Sequence, residues 1–307
     1  MKIQHIAAFA EGAQGGTPIG VALCDLLPDT QTMQTTALEV GHSETVFAAP
    51  GANGWWVRYF SPTAEVDFSG HATIALGAAL ASAHGNGMFQ LQLNRARLTV
   101  EGYCLDGALF AALQSPPVRS RKAGKELAAS VRALFGLTAD ALDPAIPPTI
   151  AHAGSNHFYL ALRDREALAA LNYEAEACRA LALREGLGMI NLIHAEAPRR
   201  FRVRTPFPPT RIYETPTSGA AALAGYLRDL RWKHDGAIEV IHEGEAGATS
   251  HIVVEIPPQR GTSVRILGKA RLLTPEDDKT PPPLPSPSEP VSAAVEKTSF
   301  PEFFEDL

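Results

Sequence analysis

The sequence predicts a mixed α/β fold in two similar lobes built by internal duplication, with the chemistry in the cleft between them. Three observations carry this. Strand-like and helix-like segments alternate from residue 2 to residue 267. One ordered set of residues occurs twice, once in each half. The chain has 307 residues, of which 45% are hydrophobic and 20% charged, enough for one large domain or two ordinary ones with real cores.

In the first half, residues 2–9 and 20–24 read as strands, and residues 28–39 as a helix with Asp29 near its start. Residues 43–48 and 55–60 are strand-like, and residues 73–83 form a helix rich in small side chains. Residues 89–93, 97–101 and 108–113 return to strand. Pro116, Pro117 and several charges make residues 115–122 a linker. The second half repeats the mixture. Helices are expected at 125–134, 173–185 and 219–230, and strands at 157–162, 199–204, 237–242, 251–256 and 263–267. The expected units are an N-terminal lobe at 1–116, a C-terminal lobe at 117–273 and a Pro-rich acidic disordered tail at 274–307. Proline fixes φ and removes backbone donors, so the tail cannot join a sheet or a helix interior.

Composition excludes several classes. A net charge of −6 argues against a nucleic-acid face. The run from Arg199 to Arg204 alternates with apolar residues, as a strand with one solvated face does. No window is apolar for long enough to span a membrane, and the N-terminus lacks a signal-peptide core. Cys24, Cys104 and Cys178 are far apart and form no zinc spacing, which suits a reducing cytoplasm and buried structural thiols. Gly12, Gly15 and Gly16 fit no phosphate-binding pattern, and His242-Glu243 reads as a solvated strand end. The expectation is a protein without metal or cofactor.

The repeat pairs Arg58-Tyr59-Phe60-Ser61-Pro62, Glu65 and Ser69-Gly70-His71-Ala72 with Arg202-Val203-Arg204-Thr205-Pro206, Glu214 and Ser218-Gly219-Ala220-Ala221. In both copies a strand ends at the proline, a loop carries the glutamate, and Ser-Gly opens a helix. Serine caps the helix, and glycine lets another group approach. If the lobes face each other, two helix N-termini line one cleft and attract a carboxylate. The same segments also read as capped, tightly packed core helices.

Two residues suit acid–base work. Glu44 lies where a helix hands over to a strand, a junction at which a carboxylate can point into a cleft and gain proton affinity from partial desolvation. Taken alone, an exposed strand glutamate is the better reading. His71 sits at a helix start, where the dipole favours the neutral ring. A local packing role is the alternative.

These residues carry a resemblance. Ser43-Glu44-Thr45, Phe60-Ser61-Pro62 with Glu65-Val66, and Gly70-His71-Ala72-Thr73 resemble the signature of the phenazine-biosynthesis isomerase family (PhzF-like proteins). Glu214-Thr215-Pro216-Thr217-Ser218-Gly219-Ala220 is similar to that family's E-D-P-x-T-G-S block, and Gly16-Thr17-Pro18 to its G-N-P element. The glycine motif from Gly244 to Ser250 also matches in kind. The resemblance covers roughly residues 1–270. It implies the diaminopimelate-epimerase-like fold, in which each lobe wraps a curved mixed sheet around a central helix. It also implies a cofactor-independent isomerase, often a homodimer, that moves a proton in a small conjugated carboxylate of secondary metabolism. Glu44 and His71 fall on the family's catalytic positions. Thr17, Ser69, Gly70, Thr73, Thr215, Ser218, Gly219 and Ala220 fall on its substrate-binding surface. The chain departs from the pattern where Thr215 replaces the family aspartate, Ala220 a serine and Thr17 an asparagine. These departures raise a rival reading, a small-molecule-binding protein that kept the cleft and lost the chemistry.

Overall fold

The computed structural model describes residues 1–11, 15–205, 216–243 and 249–274. Its first half contains β1 (Gln4–Ala8), β2 (Thr17–Leu23), α1 (Thr30–Val40), β3 (Glu44–Gly51), β4 (Gly54–Phe60), β5 (Glu65–Val66), α2 (Gly70–His84), β6 (Gly87–Gln92), β7 (Arg97–Leu105) and β8 (Ala108–Gln114). The second half contains β9 (Arg119–Lys122), α3 (Lys125–Leu134), β10 (Thr149–His152), β11 (Asn156–Leu162), α4 (Arg165–Ala169), α5 (Ala175–Arg184), β12 (Met189–Ala197), β13 (Arg200–Arg204), α6 (Pro216–Leu230), β14 (Ala237–Glu243), β15 (Thr249–Glu255) and β16 (Arg265–Leu272). The expected tail beyond residue 274 lies outside the described residues. No helix among them is long and apolar enough to cross a membrane.

One continuous sheet runs β1-β2-β3-β4-β6-β7-β8-β16-β15-β14-β13-β12-β11-β10-β9, with β5 beside β4. Because β1 also pairs with β16, the first eight strands of that order close into a ring. The ring encloses α2, which packs on strands from β1 to β16. Residues Gly70 to Ala81 of α2 are all buried, as a helix apolar on every face must be. Small residues make the enclosure feasible. A Cβ on Gly77 would stand 2.6 Å from Val100, and one on Gly102 only 2.1 Å from the Gly77 carbonyl oxygen. The rest of the sheet curls around α6, which packs on β9, β10, β11, β14, β15 and β16. Strand β16 serves both halves, pairing with β8 and β1 as well as with β15.

A single apolar core surrounds both central helices. A second core lies between α3, α5 and the outer face of β11 and β12, where Phe158, Leu160 and Leu162 alternate with Tyr159 and Ala161 of the first core. The mixed α/β class and the curved sheet around a central helix are therefore as expected.

Several details differ from the expectation. The 115–122 linker contains β9, an edge strand of the sheet. Its Arg-Ser-Arg-Lys sequence has no apolar alternation to signal a strand, and edge strands carry such charges against aggregation. Helix α6 begins at Pro216, ahead of the expected Gly219, because proline is pre-organised for the first helical position. Ser218 is thus inside the first turn, whereas Ser69 is a true N-cap of α2. Of the three thiols only Cys178 is buried; Cys104 is exposed and Cys24 half-buried.

Candidate active site

The first residue of β3 is Glu44, and it is only 1% exposed. Its position follows from register, since β3 pairs in parallel with β2 and Glu44 lies opposite Ile19. The Ser69 hydroxyl donates to Oε2, while Oε1 has no partner among the described residues. The same serine oxygen accepts from the Ala72 N–H at 3.1 Å, so one residue both caps α2 and holds the carboxylate. Burial pushes the Glu44 carboxyl up from 4.5 to about 7, against the lowering effect of the Ser69 hydrogen bond. A buried carboxyl with one free oxygen and a pKa near neutrality suits an acid–base group.

His71, on the first turn of α2, is 1% exposed. Nδ1 lies 2.8 Å from the Thr217 hydroxyl of α6, and Nε2 has no partner among the described residues. The ring meets Phe9 edge-on, with centroids 4.8 Å apart. Desolvation, and then the charge of nearby His242, lower its pKa from 6.5 to about 3, so it is neutral at physiological pH. The two central helices thus meet end to end. A Cβ on Gly70 would lie 2.7 Å from the Thr217 side chain, so glycine is required for that approach.

The second half places a matching but different set around α6. The repeat aligns Phe60 with Arg204; Thr45 pairs with Phe60, and Leu192 with Arg204. Asn191 therefore occupies in the second half the place that Glu44 holds in the first. It is 1% exposed, accepts from the Thr205 hydroxyl at 3.0 Å and donates to the Phe158 carbonyl at 3.4 Å. Thr205 also meets Nε2 of His242 at 3.0 Å. His242 is a buried member of this network and not the solvated strand end expected. His157 is fully buried, with Nε2 held by Ser155 at 3.0 Å and Nδ1 unpartnered among the described residues. Burial lowers its pKa to about 3.

The family model described as a phenazine biosynthesis-like protein matches residues 6–274. The chain belongs to the phenazine-biosynthesis-like family. It is an isomerase of that family. An uncharacterized isomerase of Deinococcus radiodurans is 32% identical over 279 residues, covering 86% of this chain and 89% of that protein. The trans-2,3-dihydro-3-hydroxyanthranilate isomerase of Pseudomonas fluorescens is 31% identical over 251 residues, covering 80% and 86%. Among solved structures, the PhzF-family phenazine biosynthesis protein of Bacillus anthracis superposes with a TM-score of 0.71 at 18% identity, covering 89% of this chain and 98% of its own.

Within this family fold, the expected site residues separate by role. Glu44, Ser69, Gly70 and His71 converge at the N-terminus of α2. Thr73 is committed elsewhere. Its hydroxyl donates to the Ser69 carbonyl at 2.6 Å and is bonded by Tyr59 at 2.8 Å, which braces the helix end. Thr17 lies 3.2 Å from the Ser250 hydroxyl, two residues before the partner of Glu44 in β2. Gly219 and Ala220 are buried in the first turns of α6, and Ser218 beside them is half-buried. Among the described residues, the atom nearest to a Cβ built on Gly219 is Asn191 Oδ1, at 3.5 Å. Thr215 lies outside the described residues.

The repeated arginine and glutamate prove structural in the first copy. Arg58 grips Glu65 through two hydrogen bonds of 2.7 and 2.5 Å, latching β4 to β5. Sequence reasoning missed Thr217, Asn191 and His157 as site residues. The signal for Asn191 was in the repeat, extended back across one strand pairing. Thr217 carried none, because its importance comes from its contact with the other half. A surface recess lined by Gln114, Asp235, Glu255 and Arg265 shares no residue with this site.

Proposed function

We propose that this protein is a cofactor-independent isomerase that shifts a proton along a small conjugated carboxylate. The observation that carries the reading is the pairing of a buried Glu44 and a neutral His71 at one helix N-terminus, Glu44 Oε1 and His71 Nε2 both being unpartnered among the described residues. Ionised Glu44 removes a proton from an acidic carbon through Oε1. The electron pair left behind delocalises over the conjugated system, and charge develops on a substrate oxygen. His71 meets that oxygen with a hydrogen bond, in a site where both side chains are buried. Glu44, its acid proton having exchanged with solvent, then delivers a proton at the far end of the conjugated system, which completes the isomerisation without a second base. The substrate carboxylate is held at the N-terminus of α6, close to Thr217 and Gly219, where the positive end of the helix dipole favours an anion.

Asn191 accounts for the single-base scheme. It stands where symmetry would place a second carboxylate, and an amide cannot cycle a proton. The matched registers support an origin by duplication, after which only the first copy kept a titrating side chain at that position. The natural setting is secondary metabolism in the cytoplasm, and the assembly is a homodimer. The substrate class follows the relative named for trans-2,3-dihydro-3-hydroxyanthranilate. With Thr215 and Ala220 in place of the family residues, a related conjugated acid is the better candidate than that compound itself. The experiment is incubation of conjugated carboxylic acids, that compound among them, with the protein in D2O, followed by NMR. Site-specific deuterium gain with double-bond migration supports the reading. Binding without exchange for every compound bound would leave a ligand-binding protein instead.

A further inference from the structure

The contact between Thr217 and His71 carries more than packing. Thr217 belongs to α6 and His71 to α2, and both side chains are buried. Among the described residues the Thr217 hydroxyl has one partner, Nδ1 of His71, at 2.8 Å. A hydroxyl has one proton to donate, and a neutral imidazole has one N–H and one lone pair. Two arrangements are available. If Nδ1–H donates to Thr217, the threonine proton has no acceptor and Nε2 is a bare lone pair, leaving two buried groups unsatisfied. If Thr217 donates to Nδ1, only the Nε2–H is left, and it faces the site. An unsatisfied buried polar group costs about 1–3 kcal/mol, so the second arrangement is favoured.

We infer that Thr217 is a positioning residue that reaches across from α6 and fixes His71 in its Nε2–H form. The group offered to the substrate is then a hydrogen-bond donor, and the matching feature of the substrate is an oxygen acceptor next to the carbon that Glu44 deprotonates. The catalytic meaning of this tautomer rests on the proton-shift reading above; the tautomer itself does not. The neutrality of His71, which burial enforces, is what gives the tautomer a meaning at physiological pH. Gly70 makes the arrangement possible, because any Cβ there would displace the Thr217 side chain.

Imidazole 15N shifts of the full-length protein near neutral pH test this without any substrate, with His71 assigned by its loss in His71→Gln. The expected pattern is a protonated, pyrrole-type Nε2 and an unprotonated, pyridine-type Nδ1. Thr217→Ser should preserve it, while Thr217→Val should give averaged shifts from a tautomer mixture. For a substrate found in the D2O screen, Thr217→Val should lower kcat by about tenfold with little change in KM, the cost of one misdirected hydrogen bond. Serine should restore most of the loss. A pyridine-type Nε2 in the parent protein would overturn the inference, and so would an unchanged tautomer in Thr217→Val. Should the valine variant fail to fold, the parent and serine spectra still decide. Failure of the exchange reaction with an intact Nε2–H signature would refute the proposed function alone.

Discussion

At the scale of single residues, the burial of Glu44 works against stability once the carboxyl is ionised. Its carboxyl keeps a proton to about pH 7 in the folded protein, against an ordinary value of 4.5. The unfolded chain therefore binds fewer protons across that window, and stability falls as pH rises through it. Replacing the acid by an amide keeps an acceptor for Ser69 and removes the buried charge. Glu44→Gln should thus match the parent in thermal stability near pH 5 and exceed it at pH 8, by on the order of 3 kcal/mol. Thermal melts at the two pH values check this, and a large loss at both would make Glu44 a structural residue. The base proposed here must be ionised, so on that proposal kcat/KM should climb to a plateau with a midpoint near pH 7. Ser69→Ala removes the hydrogen bond that favours the ionised form, so the midpoint should move up. The variant should also lose about 1 kcal/mol through the missing cap.

At the scale of elements, the two helix ends behave differently because different neighbours face them. Gly70→Ala forces a Cβ to within 2.7 Å of Thr217 and should destabilise by about 1–3 kcal/mol. Among the described residues Gly219→Ala meets nothing closer than 3.5 Å, and it sits inside α6, where alanine is the better helix former. Its melting temperature should hold or rise, while affinity for a carboxylate ligand should fall as the methyl group fills the open side of the helix. Equal destabilisation by both would contradict the asymmetry. Much of this was legible in the sequence. The Ser69-Gly70-His71 capping pattern, the strand opening at Glu44 and the alternation of elements are local signals that local rules read. What was not legible depends on distant partners. Strand β9 is charged and gains its strand state only from pairing with β10. Strand β12 is a short apolar run without clear periodicity, so Asn191 went unplaced. The true start of α6 and the reach of Thr217 are set by the meeting of the halves, which no single window of sequence records.

At the scale of the whole molecule, three of the buried histidines and the buried Glu44 pull the pH response in opposite directions. His71, His157 and His242 have pKa values lowered to about 3, 3 and 4, all by desolvation. Below pH 6.5 the unfolded chain takes up their protons while the folded one does not, so stability falls with acidification; Glu44 acts in the opposite sense between 4.5 and 7. Three protons against one leave a net fall on the order of 2–3 kcal/mol per pH unit near pH 5.5. Urea melts between pH 5 and 7 should show it, and a flat profile would mean these rings are hydrated in the folded state. The central claim concerns the chemistry that this closed polar centre performs. Its most direct measurement is solvent deuterium incorporation into a turned-over conjugated acid by the parent and by Glu44→Gln, with ligand affinity measured on the same samples. The account predicts incorporation falling by about 10²–10⁴-fold in the variant while affinity changes little. Undiminished incorporation in Glu44→Gln would contradict it.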